Sequence, residues 1–223
     1  MWPDCSRRTA GRGCFGLKIA KVAGVADADS EQEVYNRLVS HWQDPTALVP
    51  GGSEPPTMHS SPSRWPRTAG IVEHMAAIGA VTYLPDDVLA KVDRATMSVS
   101  LEGRIPLLDR DIVEFAASLP TGHKQRGGVG KWPLRQVLAR YVPVELVERP
   151  KSGFGVPIES WIRGPLRDWA ADHLFGATTA AFLDVGPIRK AWDDHHSGRR
   201  NTAYELWDVI MFSVWAESHG AGS

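Results

Sequence analysis

Two breaks between apolar-periodic stretches hold the residue types that could do chemistry. The first is RPKSGFGVP, residues 149–157, where Lys151 lies among glycine and proline. Gly153 and Gly155 flank Phe154 there, and a residue without a Cβ opens backbone shapes closed to the others. A lysine on such a loop is a mobile point charge, suited to meeting a phosphate. The second break gathers Asp93, Arg94, Glu102, Arg104 and Asp109 around a short apolar run. Asp93 and Arg94 fall at the C-terminal end of a periodic stretch, where an acid opposes the helix dipole, so Asp93 carries a local cost. Each break also has a plainer reading. Most loop lysines are simply solvated. The charges of the second break can form an ion-pair network, Glu102 with Arg104 or Asp109 with Arg94, that ties helices together.

Other candidates fail on spacing. Gly130–Lys131 suggests a phosphate loop of the GxxxxGK type, but Gln125 stands where the first glycine belongs and Trp132 where a magnesium-binding Ser or Thr would follow. Gly51–Gly52–Ser53 is followed by Pro55 and Pro56, so it does not feed a helix N-terminus whose free N–H groups would meet an anion. His195 and His196 are adjacent on a helical stretch and point apart, and no metal site is expected of them. Ser152 lies outside any GxSxG elbow. Cys5 and Cys14 are the two cysteines; they can pair, but the simpler reading is two reduced thiols, with no CxxC pair for structural zinc.

The elements that must position these residues read as helices. Val34, Leu38 and Trp42 give a helix over residues 31–42, followed by a Pro, Gly and Ser-rich loop over 44–66. Leu84, Val88 and Val92 repeat every four residues behind Pro85, Asp86 and Asp87, a good first turn. Asp109 fits an N-cap for a helix whose apolar face is Ile112, Phe115, Ala116 and Leu119. Gly127–Gly130 is a turn, and Leu134, Val137, Leu138 and Tyr141 mark the next helix. Further helices carry Trp161 and Ile162; Leu166, Trp169, Ala170 and Leu174; and Ile188, Ala191, Trp192 and His195, the last closed by Gly198. Thr202-x-x-Glu205 has the form of a capping box, with Tyr204, Trp207, Met211, Val214 and Trp215 as the buried face beyond it. The tryptophans are expected in the core. No strand alternation of useful length follows residue 83, so the chain is expected to be mainly α.

Composition narrows the function classes. In 223 residues, hydrophobic content of 43% and charged content of 23% are ordinary for a soluble globular chain. A formal net charge of −1 leaves no basic footprint for nucleic acid. No apolar run reaches the roughly 20 residues of a membrane span. Residues 1–16 are Arg- and Gly-rich and read as an irregular segment.

Several stretches together carry a resemblance. YLPDDVLAKVDRATMSVSLEGRIPLLD (83–109) resembles the signature of the synthetase domain of glutamine-hydrolysing asparagine synthetases. EFAASLP, GGVGKWPLRQVLARYVP, ERPKSGFGVPIESWIRGPLRDW and GRRNTAYELWDVIMFSVW continue the likeness in order, from about residue 17 to about 217. The resemblance implies a helical C-terminal portion of an α/β PP-loop (adenine nucleotide alpha-hydrolase-like) synthetase domain, spanning 17–223. It implies an ATP- and Mg2+-dependent reaction in which the aspartate side chain attacks the α-phosphate. β-Aspartyl-AMP and pyrophosphate form, and ammonia, derived from glutamine in the full family enzyme, then displaces AMP. Lys151 matches the family lysine at the phosphates. Glu102, Arg104 and Asp109 fall in the E-x-R-x-P-x-L-D segment beside the pocket, with Asp93 before it and Gly153 in the lysine loop. The resemblance makes Lys151 and Glu102 the catalytic candidates and Asp93, Arg104, Asp109 and Gly153 the pocket wall, in a cytoplasmic enzyme.

Three departures stand out. Gly103 occupies a position where alanine is common. Residue 2 is Trp2, not the glutaminase cysteine, and no Ser-Gly-Gly-x-Asp-Ser loop occurs. The expectation is a chain that starts beyond the strand-rich part of the domain and works within a complete protein or with a complementing N-terminal chain. Two rival readings accompany it. One is a non-catalytic remnant or helical partner-binding module, marked by exposed apolar surface. The other is a related ligase that activates another carboxylate, such as a β-lactam-forming enzyme.

Overall fold

The structure, a computed structural model, describes residues 24–58, 60–65, 67–68, 70–148 and 156–220. Residues 1–16 with Cys5 and Cys14, and Lys151, Ser152, Gly153 and Phe154, lie outside the described residues. In chain order the helices are α1 (Glu31–Val39), α2 (Ile71–Val81), a π-helical turn (Leu84–Leu89) leading into α3 (Ala90–Met97), α4 (Arg110–Ser118) and α5 (Thr121–Lys124). A hairpin of β1 (Gln125–Arg126) and β2 (Val129–Gly130) follows, then α6 (Trp132–Leu138) and α7 (Val144–Val147). The remainder is α8 (Ile158–Arg163), α9 (Arg167–Phe175), α10 (Ala177–Phe182), α11 (Val185–His196) and α12 (Ala203–Ser218). The chain is thus mostly helical, and it divides into two compact units: residues up to 60 together with those from 154, and residues 61–153.

The first unit holds nearly all of the core. Ile158 and Ile162 of α8, Ala170 and Leu174 of α9, Ile188 and Ala191 of α11, and Leu206 and Ile210 of α12 form one buried cluster. Leu48 joins it from the loop after α1, tied by its carbonyl to the Asp184 N–H at 2.8 Å. α12 is the hub, packing against α8, α9, α10 and α11. Its buried face is Leu206, Val209, Ile210, Ser213 and Ala216, whereas Tyr204, Met211 and Trp215 are exposed, which corrects the face expected from the sequence. The helix is apolar on most sides, so size is a poor guide. Its small Ser213 and Ala216 let neighbouring helices approach; of the expected face only Trp207 and Val214 pack against the core.

The capping box does not form either. The Thr202 hydroxyl, 1% exposed, donates to the Ala191 carbonyl at 2.7 Å and so ties α12 to α11. The cap comes from Asn201, whose Oδ1 accepts from the Ala203 N–H at 3.1 Å. Glu205 pairs with Arg200, yet burial pushes its carboxyl above the usual range against that pull.

The second unit is built differently. Pro85 has no N–H to donate and crowds the preceding turn, and the helix there runs in the wider π register before resuming as α3. α2 was not legible as a helix in the sequence, and α1, in the first unit, ends at Val39, short of the expected Trp42. The glycine turn is the bend of an antiparallel hairpin pairing Gln125 with Gly130 and Arg126 with Val129. Gly127 and Gly128 sit at φ 56° and 78°, the left-handed pair that a tight hairpin of this twist requires. The apolar faces expected on α4 and α6 are not covered: Ile112 is 41%, Phe115 62% and Val137 55% exposed. Ile78 of α2 is fully buried. No helix among the described residues is long and apolar enough to cross a membrane.

Candidate functional site

The site builds outward from α3. After Met97 the chain reverses through Ser100, which takes φ 60°, and the Leu101 N–H closes back on the Thr96 carbonyl at 3.0 Å. The Thr96 hydroxyl reaches the Val92 and Asp93 carbonyls at 3.0 and 3.1 Å. Residues 101–105 then run back along α3, close enough that a Cβ on Gly103 would lie 3.7 Å from both Thr96 Oγ1 and Val92 Cγ1. That is ordinary van der Waals contact, so the backbone accepts the alanine common at this position. A 3-10 turn, Pro106–Leu108, leads into α4.

This path gives the charged residues different jobs. Glu102 and Arg104, two apart on extended backbone, share a side and pair at 2.9 Å with side chains 68% and 82% exposed. Of the two pairings expected from sequence, this one forms. Asp109 does not meet Arg94; its Oδ1 accepts from the Asp111 N–H at 3.0 Å and caps α4. Asp93 and Arg94 are both exposed. Asp93 falls in the first turn of α3 and Arg94 opens its last turn, because the helix runs on to Met97. Asp93 therefore bears less of the dipole cost assigned to it from sequence. Lys151 and Gly153 lie outside the described residues.

A small cavity of about 120 Å³ opens in the same unit. Trp132 and Leu138 of α6, and Val144 and Val147 of α7, line it together with Arg135 and Glu148, which pair at 3.3 Å. Ligand pockets of roughly 300–1,000 Å³ are usual for drug-sized molecules, so this one is too small for a nucleotide. Among the described residues no group of three or more His, Cys, Asp or Glu is placed to hold a metal ion. Nor do they form a glycine cradle at a helix N-terminus. The described residues alone do not fit a magnesium–polyphosphate group.

In the first unit the structure brings together a group of which the sequence singled out only His195. The Glu159 carboxylate accepts from Arg163 Nη1 at 2.7 Å and Asn201 Nδ2 at 2.6 Å. Arg163 Nε donates to the His195 carbonyl at 3.0 Å, and His195 Nε2 lies 3.3 Å from the Glu159 carbonyl. Burial above all holds His195 below the usual histidine range, with Arg163 and His196 adding to that and the Glu159 carbonyl opposing it. The i, i+4 spacing of Glu159 and Arg163 is visible in sequence; Asn201, 42 residues from Glu159, is not.

Comparison with known proteins places these elements in a family. The family model for asparagine synthase matches residues 8–217, which takes in both the 93–109 segment and the 149–157 segment. A Mycobacterium tuberculosis protein that carries the name asparagine synthetase (glutamine-hydrolyzing) provisionally is 35% identical over 145 residues, 65% of this chain and 22% of that protein. Asparagine synthetase (glutamine-hydrolyzing) 1 of Bacillus subtilis is 28% identical over 144 residues, 65% of this chain and 23% of its own length. Carboxyethyl-arginine beta-lactam-synthase of Streptomyces clavuligerus is 32% identical over 110 residues, 48% of this chain and 17% of that enzyme. The chain therefore spans about a quarter or less of the length of these curated relatives. No solved structure matches it. With a model match running through nearly its whole length, this chain belongs to the asparagine synthase family.

Proposed function

We propose that the chain supplies the helical part of a PP-loop (adenine nucleotide alpha-hydrolase-like) synthetase domain, for ATP-dependent conversion of aspartate and ammonia to asparagine in the cytoplasm. The observation that carries this is the unbroken family match through both chemistry-bearing segments. In this reading Lys151 lends its mobile cation to the phosphates as pyrophosphate leaves, where fixed positive charge stabilises a developing anion. Glu102 faces the reacting groups, and Asp93, Arg104, Asp109 and Gly153 wall the pocket. ATP with Mg2+ supplies the leaving group. The described residues do not cradle it, and no Ser-Gly-Gly-x-Asp-Ser loop occurs in the 223 residues. The reading therefore assigns that loop to a complementing chain or segment.

The test is aspartate-dependent pyrophosphate release with Mg-ATP and ammonia. The chain alone gives no release above a Lys151→Ala control. With the complementing segment of a family relative, release appears and Lys151→Ala removes it. Near-normal turnover by that variant refutes the role of Lys151.

Two other readings each have an observation behind them. The similarity to a β-lactam-forming synthase supports a ligase for another carboxylate, seen as pyrophosphate release from a carboxylate panel that aspartate does not match. The exposed apolar residues of the second unit support a non-catalytic, partner-binding module, seen as self-association without any ligation.

A further inference from the structure

Between Glu114 and Glu145 the second unit carries Lys124, Arg126, Lys131, Arg135 and Arg140 and not one Asp or Glu. The whole chain has a formal net charge of −1, so this run is a local excess of positive charge. Its residues form α5, the β1–β2 hairpin and α6. Lys124 acts on Glu73 of α2, and Arg135 is paired with Glu148. Arg126, Lys131 and Arg140 are exposed, and among the described residues no carboxylate pairs with them. Lys131 holds the left-handed conformation, φ 59°, where glycine would sit without strain. Strain of this kind gathers at ligand clamps and other working sites.

These cations border the cavity of about 120 Å³ lined by α6 and α7. Arg126 lies opposite Val129 in the hairpin, with its guanidinium 5.8 Å from the centre of the Trp132 ring, and both Val129 and Trp132 line the cavity. Arg135 stands in the wall, steadied by its Nε, which donates to the Gly130 carbonyl at 3.2 Å. Lys131 precedes Trp132, and Arg140 follows Ala139, another lining residue. Apart from Arg135, Gln136 and Glu148 the lining is apolar. Val129, Leu138, Val144 and Val147 nevertheless remain 36–46% exposed. An apolar cavity of about 150 Å³ holds one benzene molecule, so this one has room for a single aliphatic side chain. An apolar hole open to solvent and bordered by cations fits a protein segment: one anchor side chain fills the hole, and flanking carboxylates meet the cations. A phosphate backbone would use the charges and leave the hole empty.

We propose that this cavity and the cations of the hairpin and α6 form a docking surface for an acidic segment of another protein, anchored by one side chain of leucine or isoleucine size. Docking here is separate from ligation and does not depend on it.

The test is fluorescence anisotropy of the full chain with a labelled peptide in which one leucine is flanked on both sides by aspartates. The peptide binds, and added salt weakens it, because exposed charges are screened. The same peptide with alanine for leucine binds about tenfold more weakly, since the anchor's buried methylenes are lost. Lys131→Gly removes one cation and the backbone strain together, so it binds the peptide about threefold more weakly while its thermal midpoint holds or rises. Arg126→Gln gives a similar loss without altering the backbone. Absence of binding, equal binding of the leucine and alanine peptides, or unchanged binding by both variants overturns the proposal. A uridine oligonucleotide that binds more tightly than the peptide overturns it in favour of a nucleic-acid surface. A concentration-dependent dimer that Lys131→Gly dissolves overturns it in favour of a second copy of this chain.

Discussion

Glu102 and Asp109 stand seven residues apart in one segment, and the structure gives them different contacts, an exposed ion pair for Glu102 and a helix cap for Asp109. Replacing Asp109 with Ala removes the acceptor for the Asp111 N–H, and losing such a cap costs about 1 kcal/mol. Spread over the opening of α4, that is about a fivefold rise in amide exchange in its first turn. Replacing Glu102 with Ala removes one exposed ion pair, with side chains 68% and 82% accessible to solvent. Such pairs contribute about 0.5 kcal/mol, so exchange over the same residues should change by about twofold at most. The assay is hydrogen exchange read by mass spectrometry on peptides spanning 97–118, with pyrophosphate release measured beside it in the complemented protein. If Glu102 does chemistry, its loss lowers release by on the order of a hundredfold while leaving exchange alone. A fivefold rise in exchange on losing Glu102 would make it a brace and refute the separation. Unchanged exchange on losing Asp109 would show that the cap is not what holds α4.

Three further outcomes follow from other sites. Gly103→Ala should be tolerated or raise stability by about 0.4–1 kcal/mol, since its φ is negative and the new methyl finds ordinary contacts. Gly176→Ala should lose about 1–3 kcal/mol, because the added Cβ would lie 2.6 Å from the Asp172 carbonyl oxygen, which a helix cannot move; denaturant midpoints compare the two. His195 titrates below its unfolded value near 6.5. Between the two values the unfolded chain binds the extra proton, so stability falls as pH drops below about 6.5 and levels off beneath the folded value. His195→Gln should flatten the difference between midpoints at pH 7.5 and pH 5, and an unchanged slope would exclude His195 as its source.

Local signals were legible where one residue type decides local geometry. Asp109 at the start of an apolar-periodic run marked a cap, Gly127 and Gly128 a turn, and Gly198 at φ 73° a helix end. The Glu102–Arg104 pair was readable for the same reason, being two residues apart on extended chain. Burial was not legible. Ile112 and Phe115 have helical spacing, but spacing says which side is apolar and not what covers it. On α12 the wish to bury the largest side chains favoured Trp215 over Ser213, and packing reversed it. The Glu159 network escaped because three of its contacts join residues more than thirty positions apart. The segment with Lys151 was singled out by composition and strengthened by the family match, which takes it in.

The uneven division of the core decides what calorimetry and fluorescence can see. Apart from Ile78, the fully buried apolar side chains lie in the first unit, as do Trp161, Trp169, Trp192, Trp207 and Trp215. The heat-capacity change and the denaturant slope both scale with apolar surface released on unfolding. Both are therefore weighted toward the first unit, and so is a tryptophan melt, to which the second unit adds Trp65 and Trp132. A substitution in the Glu102 segment can loosen its surroundings and shift such a melting curve only slightly. A screen that ranks variants by melting temperature would pass it as intact.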